Sequence, residues 1–292
     1  MWYLRFLVNQ LISLAVLLLL AALPLYLVNT DTGVAVQLHG ILEEVKKFVA
    51  GLFNGQSFYY LQGGREGLLL NDLTSFFLSS FTYLTVSLLI VVILSFFLGI
   101  WFWKMSERWL NSLLGFVGFI PDFILVLLFQ LLVTYIFKTT GIKTVKVASL
   151  SMEEPAIFLP IVSLIIVPLF YLIRTLAERT YEVLTQDYIL TAKSKGLSKK
   201  YIYVNHVTSN VLPFLKADLH KIVGIAISNL FIIEYLYNTR GLTEILFEYP
   251  IKFGYQYNLV AITLIAFFVL YLATFLSIKL FILAVERIFW RA

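Results

Sequence analysis

Six long apolar stretches set the main constraint on what this chain can fold into. A helix needs about 20 mainly apolar residues to cross the roughly 30 Å hydrocarbon core of a membrane. Each stretch comes close to or exceeds that length, and each is continuous rather than alternating, which disfavours the strands of a membrane barrel. We predict an all-α membrane protein with six transmembrane helices, approximately at residues 6–28, 76–103, 110–137, 155–173, 213–235 and 259–285.

The composition excludes several protein classes. The 292 residues are 60% hydrophobic and 13% charged, whereas soluble domains have about 45–50% apolar and about 25% charged residues. A soluble protein this apolar could not cover its surface with polar atoms. The chain has no cysteine, which excludes a disulfide scaffold and a thiolate metal centre.

The charge distribution predicts the orientation in the membrane. Six spans place both termini on one side, and Lys and Arg concentrate in cytoplasmic segments of membrane proteins. With the termini in the cytoplasm, inner segments carry eleven of these residues and outer segments eight. All five tryptophans lie near predicted cytoplasmic boundaries, where their amphipathic rings favour the headgroup layer (Trp2, Trp101, Trp103, Trp109 and Trp290). We predict a multi-pass protein of the cell membrane with both termini cytoplasmic.

The loops suggest a division of the chain into two parts. Residues 1–75 would hold the first span and a long extracytoplasmic loop, and residues 76–292 a core transmembrane domain. Within the outer loop, residues 41–49 form an amphipathic pattern that predicts a short helix on the membrane surface. Gln62-Gly63-Gly64 predicts a turn. The inner loop at about 174–212 is the most polar long segment of the chain.

The inner loop has the pattern of two helices joined at a glycine. Gly196 fits the left-handed residue that ends a helix, with Leu197 as the apolar residue after it. Ser198 can cap a second helix from Lys199 onward. Such a hairpin can dock into a groove on a partner, and it can equally be a solvated amphipathic loop between two spans.

Several motifs resemble one family. The run QDYILTAKSKGL at 186–197, followed by His206 and Leu212-Pro213, resembles the cytoplasmic coupling loop of binding-protein-dependent ABC importer permeases, closest to the dipeptide/oligopeptide type. Residues 119–123 and 234–243 are similar to two further family segments. Arg240 and Thr243 depart from the family pattern, which usually has Pro and Gly there.

The resemblance implies a fold, partners and a mechanism. The fold would be that of a type I ABC importer permease. The chain would pair with a second permease subunit, two cytoplasmic ATPase subunits and an extracytoplasmic solute-binding protein, within membrane lipid and without nucleic acid. ATP and Mg would be used by the partner ATPase, and peptides or a related small solute would be carried. The residues implied in ATPase coupling are Asp187, Tyr188, Ala192, Lys195, Gly196 and Leu197.

A second group of candidate residues lies in and around the predicted fifth span. Ionisable residues inside a membrane are costly and usually face a bundle interior or a water-filled path. Lys216, Asp218, His220 and Lys221 are spaced so that they can pair along one helix. These four residues and Glu234 are candidates for lining the translocation path. The alternative for the four is that they begin the helix at the membrane interface.

The sequence lacks the motifs of an enzyme. It has no Gly-x-x-x-x-Gly-Lys-Ser/Thr phosphate loop, no Gly-x-Ser-x-Gly elbow and no His-Glu-x-x-His, and its three histidines are far apart. We predict no catalytic residue, no metal site and no cofactor bound by this chain. Two alternatives stay open: a secondary, proton-coupled transporter, and a membrane scaffold that recruits a cytoplasmic partner.

Overall fold

A computed structural model describes residues 2–30, 33–101 and 121–290. The first part contains α1 (Trp2–Ala22), strands β1 (Leu27–Thr30) and β2 (Gly33–Val36), α2 (Leu38–Asn54), strands β3 (Tyr59–Gln62) and β4 (Arg65–Leu68), and α3 (Leu69–Phe96), which continues as a π-helical turn (Phe97–Trp101). Next come α4 (Asp122–Thr140), α5 (Phe158–Leu184), α6 (Asp187–Ser194) and α7 (Lys199–Tyr201). After a π-helical segment (Ile202–Thr208), the chain forms α8 (Ser209–Ala217), α9 (Leu219–Tyr237), α10 (Leu242–Phe253) and α11 (Tyr257–Trp290).

Five of the described helical segments are long and apolar enough to cross a membrane, and they confirm the predicted membrane fold. They are Leu69–Trp101, Asp122–Thr140, Phe158–Leu184, Leu219–Tyr237 and Tyr257–Arg287. The predicted first span corresponds to a shorter apolar segment, Gln10–Leu25. Residues 110–120 of the predicted third span lie outside the described residues. They include residues 119 and 120 of the segment 119–123 that resembles the family.

The inner loop is helical from Arg174 onward, as predicted, and α5 runs without interruption from the predicted fourth span to Leu184. The extension is stabilised by the buried Leu176, Ala177, Thr180 and Val183, and by ion pairs one turn apart, because a buried apolar stripe and charge pairs both favour helix. The predicted fifth span starts later, since α8 ends at Ala217 and the membrane-length helix begins at Leu219.

The outer loop contains two β-hairpins, so the prediction of purely helical structure was incomplete. Strand β1 pairs with β2 and β3 with β4, both antiparallel. The predicted turn is confirmed at the tip of the second hairpin, where Gly63 and Gly64 both have positive φ (58° and 89°). Two consecutive positive φ angles match the twist that a two-residue hairpin needs.

The predicted amphipathic helix of the outer loop is present and longer than expected. Helix α2 runs over Leu38–Asn54 and ends at Gly55, which has a φ of 84°. Ile41 and Phe48 are buried, while the apolar residues Leu38, Leu42, Val49 and Phe53 are exposed. Its location on the membrane surface stays a prediction.

The chain forms two compact units. One comprises Met1–Ser79 and Arg240–Leu270, and the other Ser80–Thr239 and Tyr271–Ala292. In the first, Tyr60, Tyr249 and Phe253 form an aromatic cluster with ring centroids 5.4 to 6.0 Å apart. In the second, α5 packs against α9 and against the π-helical turn after α3. The division at residue 75, between the first span with its outer loop and the core transmembrane domain, stays a prediction.

The backbone after α9 has an unusual conformation. Asn238 ends the helix with a φ of 51°, and Arg240 has a φ of 55°. The Asn238 side chain donates to the Ser149 carbonyl at 3.1 Å. Since proline is fixed near a φ of about −65°, it cannot adopt the Arg240 conformation. At position 240, where the family pattern usually has proline, the backbone therefore has a conformation that proline cannot adopt.

Candidate functional site

The inner loop forms a helical hairpin over residues 187–208, and its turn lies at Gly196, as the sequence predicts. Gly196 has a φ of 77°. Its N–H donates to the Lys193 carbonyl at 3.0 Å, and the Leu197 N–H donates to the Ala192 carbonyl at 3.2 Å. These two bonds are the Schellman pattern that satisfies the last carbonyls of a helix. The end of α6 is therefore fixed by backbone geometry that favours glycine.

The second helix of the hairpin starts with the predicted cap. The Tyr201 N–H donates to Ser198 Oγ at 3.3 Å. From Lys199 the chain stays helical through the π-helical segment and α8 as far as Ala217. A helical connection thus runs from the Gly196 turn to the residues just before the fifth apolar helix α9.

The inner side of the hairpin is apolar and packed. Ile189, Ile202 and Val207 are buried. The His206 ring lies 6.4 Å from the Tyr188 ring and 5.9 Å from the Tyr201 ring, measured between centroids. Partial desolvation raises the pKa of the Tyr188 hydroxyl, although the side chain as a whole is exposed. The hairpin is therefore a formed element with its own small core.

Five of the six predicted coupling residues are exposed on this hairpin: Asp187, Tyr188, Lys195, Gly196 and Leu197. The sixth, Ala192, is only 6% exposed, so its side chain contributes to packing and its carbonyl to the turn. Two further apolar residues of the hairpin helices, Leu190 and Tyr201, were not among the predicted coupling residues and are also exposed. Together with exposed lysines at 193, 195, 199 and 200, they give the hairpin an apolar and basic outer surface.

The candidate path residues around the start of α9 have partners on other helices. Lys216 Nζ lies 2.7 Å from Glu286 Oε2 of α11. His220 Nδ1 lies 2.6 Å from the Tyr271 hydroxyl, and its ring stacks on Phe275 with centroids 4.1 Å apart. Lys216 and His220 therefore both contact α11, which sequence spacing alone does not reveal.

A tyrosine of α5 contacts the remaining two residues of this group. The Tyr171 hydroxyl donates to Asp218 at 3.5 Å, and Lys221 Nζ lies 4.4 Å from the centroid of the Tyr171 ring. Helices α5, α9 and α11 thus meet at one polar cluster. Sequence reasoning missed Tyr171, Tyr271 and Glu286; the one available signal was Glu286, an acid near the end of the last apolar run.

Glu234 lies apart from this cluster, near the other end of α9. It is 3% exposed and accepts a hydrogen bond from Ser80 of α3, which is fully buried. A buried carboxyl needs such partners because its desolvation is costly. In this conformation Glu234 therefore contributes to helix–helix contact.

Within residues 2–30, 33–101 and 121–290, no three His, Cys, Asp or Glu side chains are grouped so that they could hold a metal ion. What the arrangement provides is mechanical: an exposed hairpin, a helical connection and interhelical polar contacts. These features suit the transmission of movement to the apolar helices.

Curated relatives share part of this chain. It is 34% identical over 102 residues to the dipeptide transport system permease protein DppB of Bacillus subtilis, which covers 33% of each chain. It is 35% identical over 94 residues to the oligopeptide transport system permease proteins OppB of Mycoplasma pneumoniae and Mycoplasma genitalium. Those alignments cover 32% of this chain and 24% and 23% of the two proteins. The chain thus aligns with a third or less of the length of these relatives.

A family model matches a much larger part. The model of the binding-protein-dependent transport system inner membrane component matches residues 63–288. This region contains the hairpin, the polar cluster and all five membrane-length segments. The resemblance of the coupling-loop motif is therefore confirmed at the level of the family. The chain is a multi-pass membrane protein and belongs to the family of binding-protein-dependent transport system inner membrane components.

Proposed function

We propose that this chain is the permease subunit of an ATP-driven importer of peptides, and that its 187–208 hairpin docks onto a separate ATPase. The closed turn at Gly196, with apolar and basic residues exposed beside it, is the observation that carries the proposal. An exposed apolar helix surface is suited to a groove on a partner. The names of the relatives, which are dipeptide and oligopeptide permeases, support peptides as the solute.

The proposed assembly contains a second permease subunit, two ATPase subunits and an extracytoplasmic solute-binding protein. ATP and Mg bind the ATPase subunits, and this chain hydrolyses nothing itself. Movement of the ATPase pair would pass through the hairpin and α8 into the spans. The contacts of Lys216, Asp218, His220 and Lys221 with α5 and α11 support a path whose mouth lies at this cluster, and Glu234 would lie farther along it.

The coupling proposal is tested at Gly196. Gly196→Val should abolish co-purification with the ATPase and ATP-driven uptake, because a β-branched residue does not adopt a φ of 77° without strain. Gly141→Val is the matched control: Gly141 ends α4 with a φ of 72°, and neither glycine has an atom within 4 Å of an added Cβ. Normal ATP-driven uptake by the Gly196 variant would refute the docking assignment. Uptake without ATP or any partner would instead favour a secondary transporter. The absence of solute movement under every condition would favour a scaffold.

The orientation is a separate proposal, with both termini and the hairpin in the cytoplasm. It is supported by the bias of Lys and Arg toward the segments expected inside. The chain has no native cysteine, so a single introduced cysteine reports its own position without background. In intact cells, a membrane-impermeant maleimide should label Gly64→Cys and not Ser194→Cys; the reverse labelling would overturn the orientation.

A further inference from the structure

We propose that the outer loop holds a binding site for a short zwitterionic peptide, in a cavity formed by α2, the β3–β4 hairpin and the start of α11. The peptide class rests on the proposed function, and the cavity is described independently of it. The cavity has a volume of about 320 Å³, at the lower end of the roughly 300–1,000 Å³ of small-molecule sites. All of its lining residues belong to one compact unit.

One wall of the cavity is held rigidly by side-chain amides. In the β3–β4 register Leu61 faces Glu66 and Tyr59 faces Leu68. The backbone groups of Leu61 and Tyr59 that point away from β4 form hydrogen bonds with the side-chain amides of Gln256 and Asn258. The Leu61 N–H donates to Gln256 Oε1 at 2.7 Å, Gln256 Nε2 donates back to the Leu61 carbonyl at 2.9 Å, and Asn258 donates to the Tyr59 carbonyl.

The wall formed by α2 is also closely packed. Gly51 lies so near to Ser57 that an added Cβ would be 2.2 Å from Ser57 Oγ. Ser57 in turn donates to the Phe48 carbonyl at 2.8 Å. A site whose walls are fixed before binding loses less conformational entropy when a ligand arrives.

The charges of the lining point to a ligand that carries both signs. Lys47 of α2 supplies a cation, and Glu44 and Glu66 supply two carboxylates. Among the residues that the structure describes, no ion pair includes any of these three side chains. Glu44 accepts a hydrogen bond from the Tyr26 hydroxyl at 3.2 Å, which orients it without neutralising it.

These charges match the two ends of a peptide. Lys47 can bind a carboxylate terminus, and the glutamates an ammonium terminus, by charge-assisted hydrogen bonds. Tyr59, Tyr60 and Tyr257 also line the cavity. The excess of carboxylates further favours peptides that carry an additional positive charge.

The test is a direct binding measurement on the full chain in lipid nanodiscs, without ATPase or binding protein. Trialanine with free termini should bind saturably in calorimetry, and trialanine with an acetylated N-terminus and an amidated C-terminus should bind at least about tenfold more weakly, because it has lost both charges. Equal binding of the two probes, or no saturable binding of the free peptide, would overturn the proposal. Equal competition by free alanine would overturn the assignment to peptides.

Matched variants locate the site. Lys47→Gln should weaken trialanine binding about tenfold, whereas Lys46→Gln, which removes the same charge one residue away and outside the cavity lining, should leave it unchanged. An equal effect of the two variants would place the peptide elsewhere. Gly196→Val should keep trialanine binding while losing ATP-driven uptake, so failure of the binding site and failure of the coupling proposal give different results.

Discussion

Lys216 and Glu286 form an ion pair with an Nζ–Oε2 distance of 2.7 Å, which joins the helical connection from the hairpin to the end of α11. The two side chains are 32% and 15% exposed, so the pair is partly shielded from water. Because Lys216 is the next-to-last residue of α8, movement of the hairpin would act on α11 through this contact. The pair is thus a side-chain link between the hairpin connection and α11.

Breaking this pair should weaken both stability and coupling. We expect Glu286→Gln to lower the free energy of unfolding by about 1–3 kcal/mol, between the values for exposed and buried pairs, and to reduce ATP-driven uptake. The charge-swapped double variant Lys216→Glu/Glu286→Lys should recover part of both losses. Lys252→Gln, which breaks a more exposed pair with Glu248, is the control and should change the melting temperature little. Equal melting shifts for the two single variants would contradict a special role of the Lys216–Glu286 pair.

A second prediction concerns the close approach of the turn after α3 to α5. A Cβ added at Gly99 would lie 2.6 Å from Leu176 Cβ and 3.2 Å from the Ile173 carbonyl oxygen. Gly99→Ala should therefore destabilise the protein by about 1–3 kcal/mol, measured by thermal unfolding in detergent. Leu176→Ala should not rescue it, because the clashing Cβ and carbonyl remain. Gly224→Ala has no atom within 4 Å of the added Cβ and should be neutral or stabilising.

A third prediction concerns the buried contact between Ser80 and Glu234. Ser80→Ala removes one hydrogen-bond donor from a carboxyl that is 3% exposed, and should cost about 1–3 kcal/mol of stability. Glu234→Gln keeps an acceptor oxygen at the same place, so its melting temperature should stay closer to that of the parent than that of Glu234→Ala. A melting temperature of Glu234→Ala equal to that of the parent would show that this contact contributes nothing to stability.

A fourth prediction follows from Tyr60 in strand β3. Burial, and then the hydrogen bond that its hydroxyl donates to Asp72 at 2.8 Å, raise the pKa of Tyr60 to about 12. A raised pKa in the folded state stabilises the fold fully below the ordinary pKa of about 10, and this stabilisation is lost as the pH rises toward 12. The melting temperature of Tyr60→Phe should thus lie below that of the parent at pH 8. The difference should shrink between pH 10 and 12, and a constant difference would contradict the pKa shift.

The sequence allowed good predictions where the signals are local. Gly196, Leu197 and Ser198 determine the turn of the hairpin through their own backbone and cap geometry, so the turn was predicted residue by residue and is confirmed. The membrane-length segments follow from hydropathy in the same way. The start of the fifth span was less accurate, since α8 ends at Ala217 and the membrane-length helix begins only at Leu219.

Contacts between distant residues were not predictable from one sequence. Nothing in the spacing around His220 indicates that Tyr271 and Phe275 are its partners, 51 and 55 positions later. The outer-loop cavity was missed for the same reason, since Gln256 lies 195 positions from Leu61. Which residues of α2 line this cavity becomes apparent only once the β3–β4 hairpin is placed.

The positive φ of Arg240 also has a consequence for protein engineering. A designer who compared this chain with its family would be tempted to restore consensus by writing Arg240→Pro. The pyrrolidine ring would force the main chain at this position through more than a hundred degrees. Proline at this position therefore requires a different backbone conformation of the whole segment. The segment has to be exchanged as a block or left unchanged.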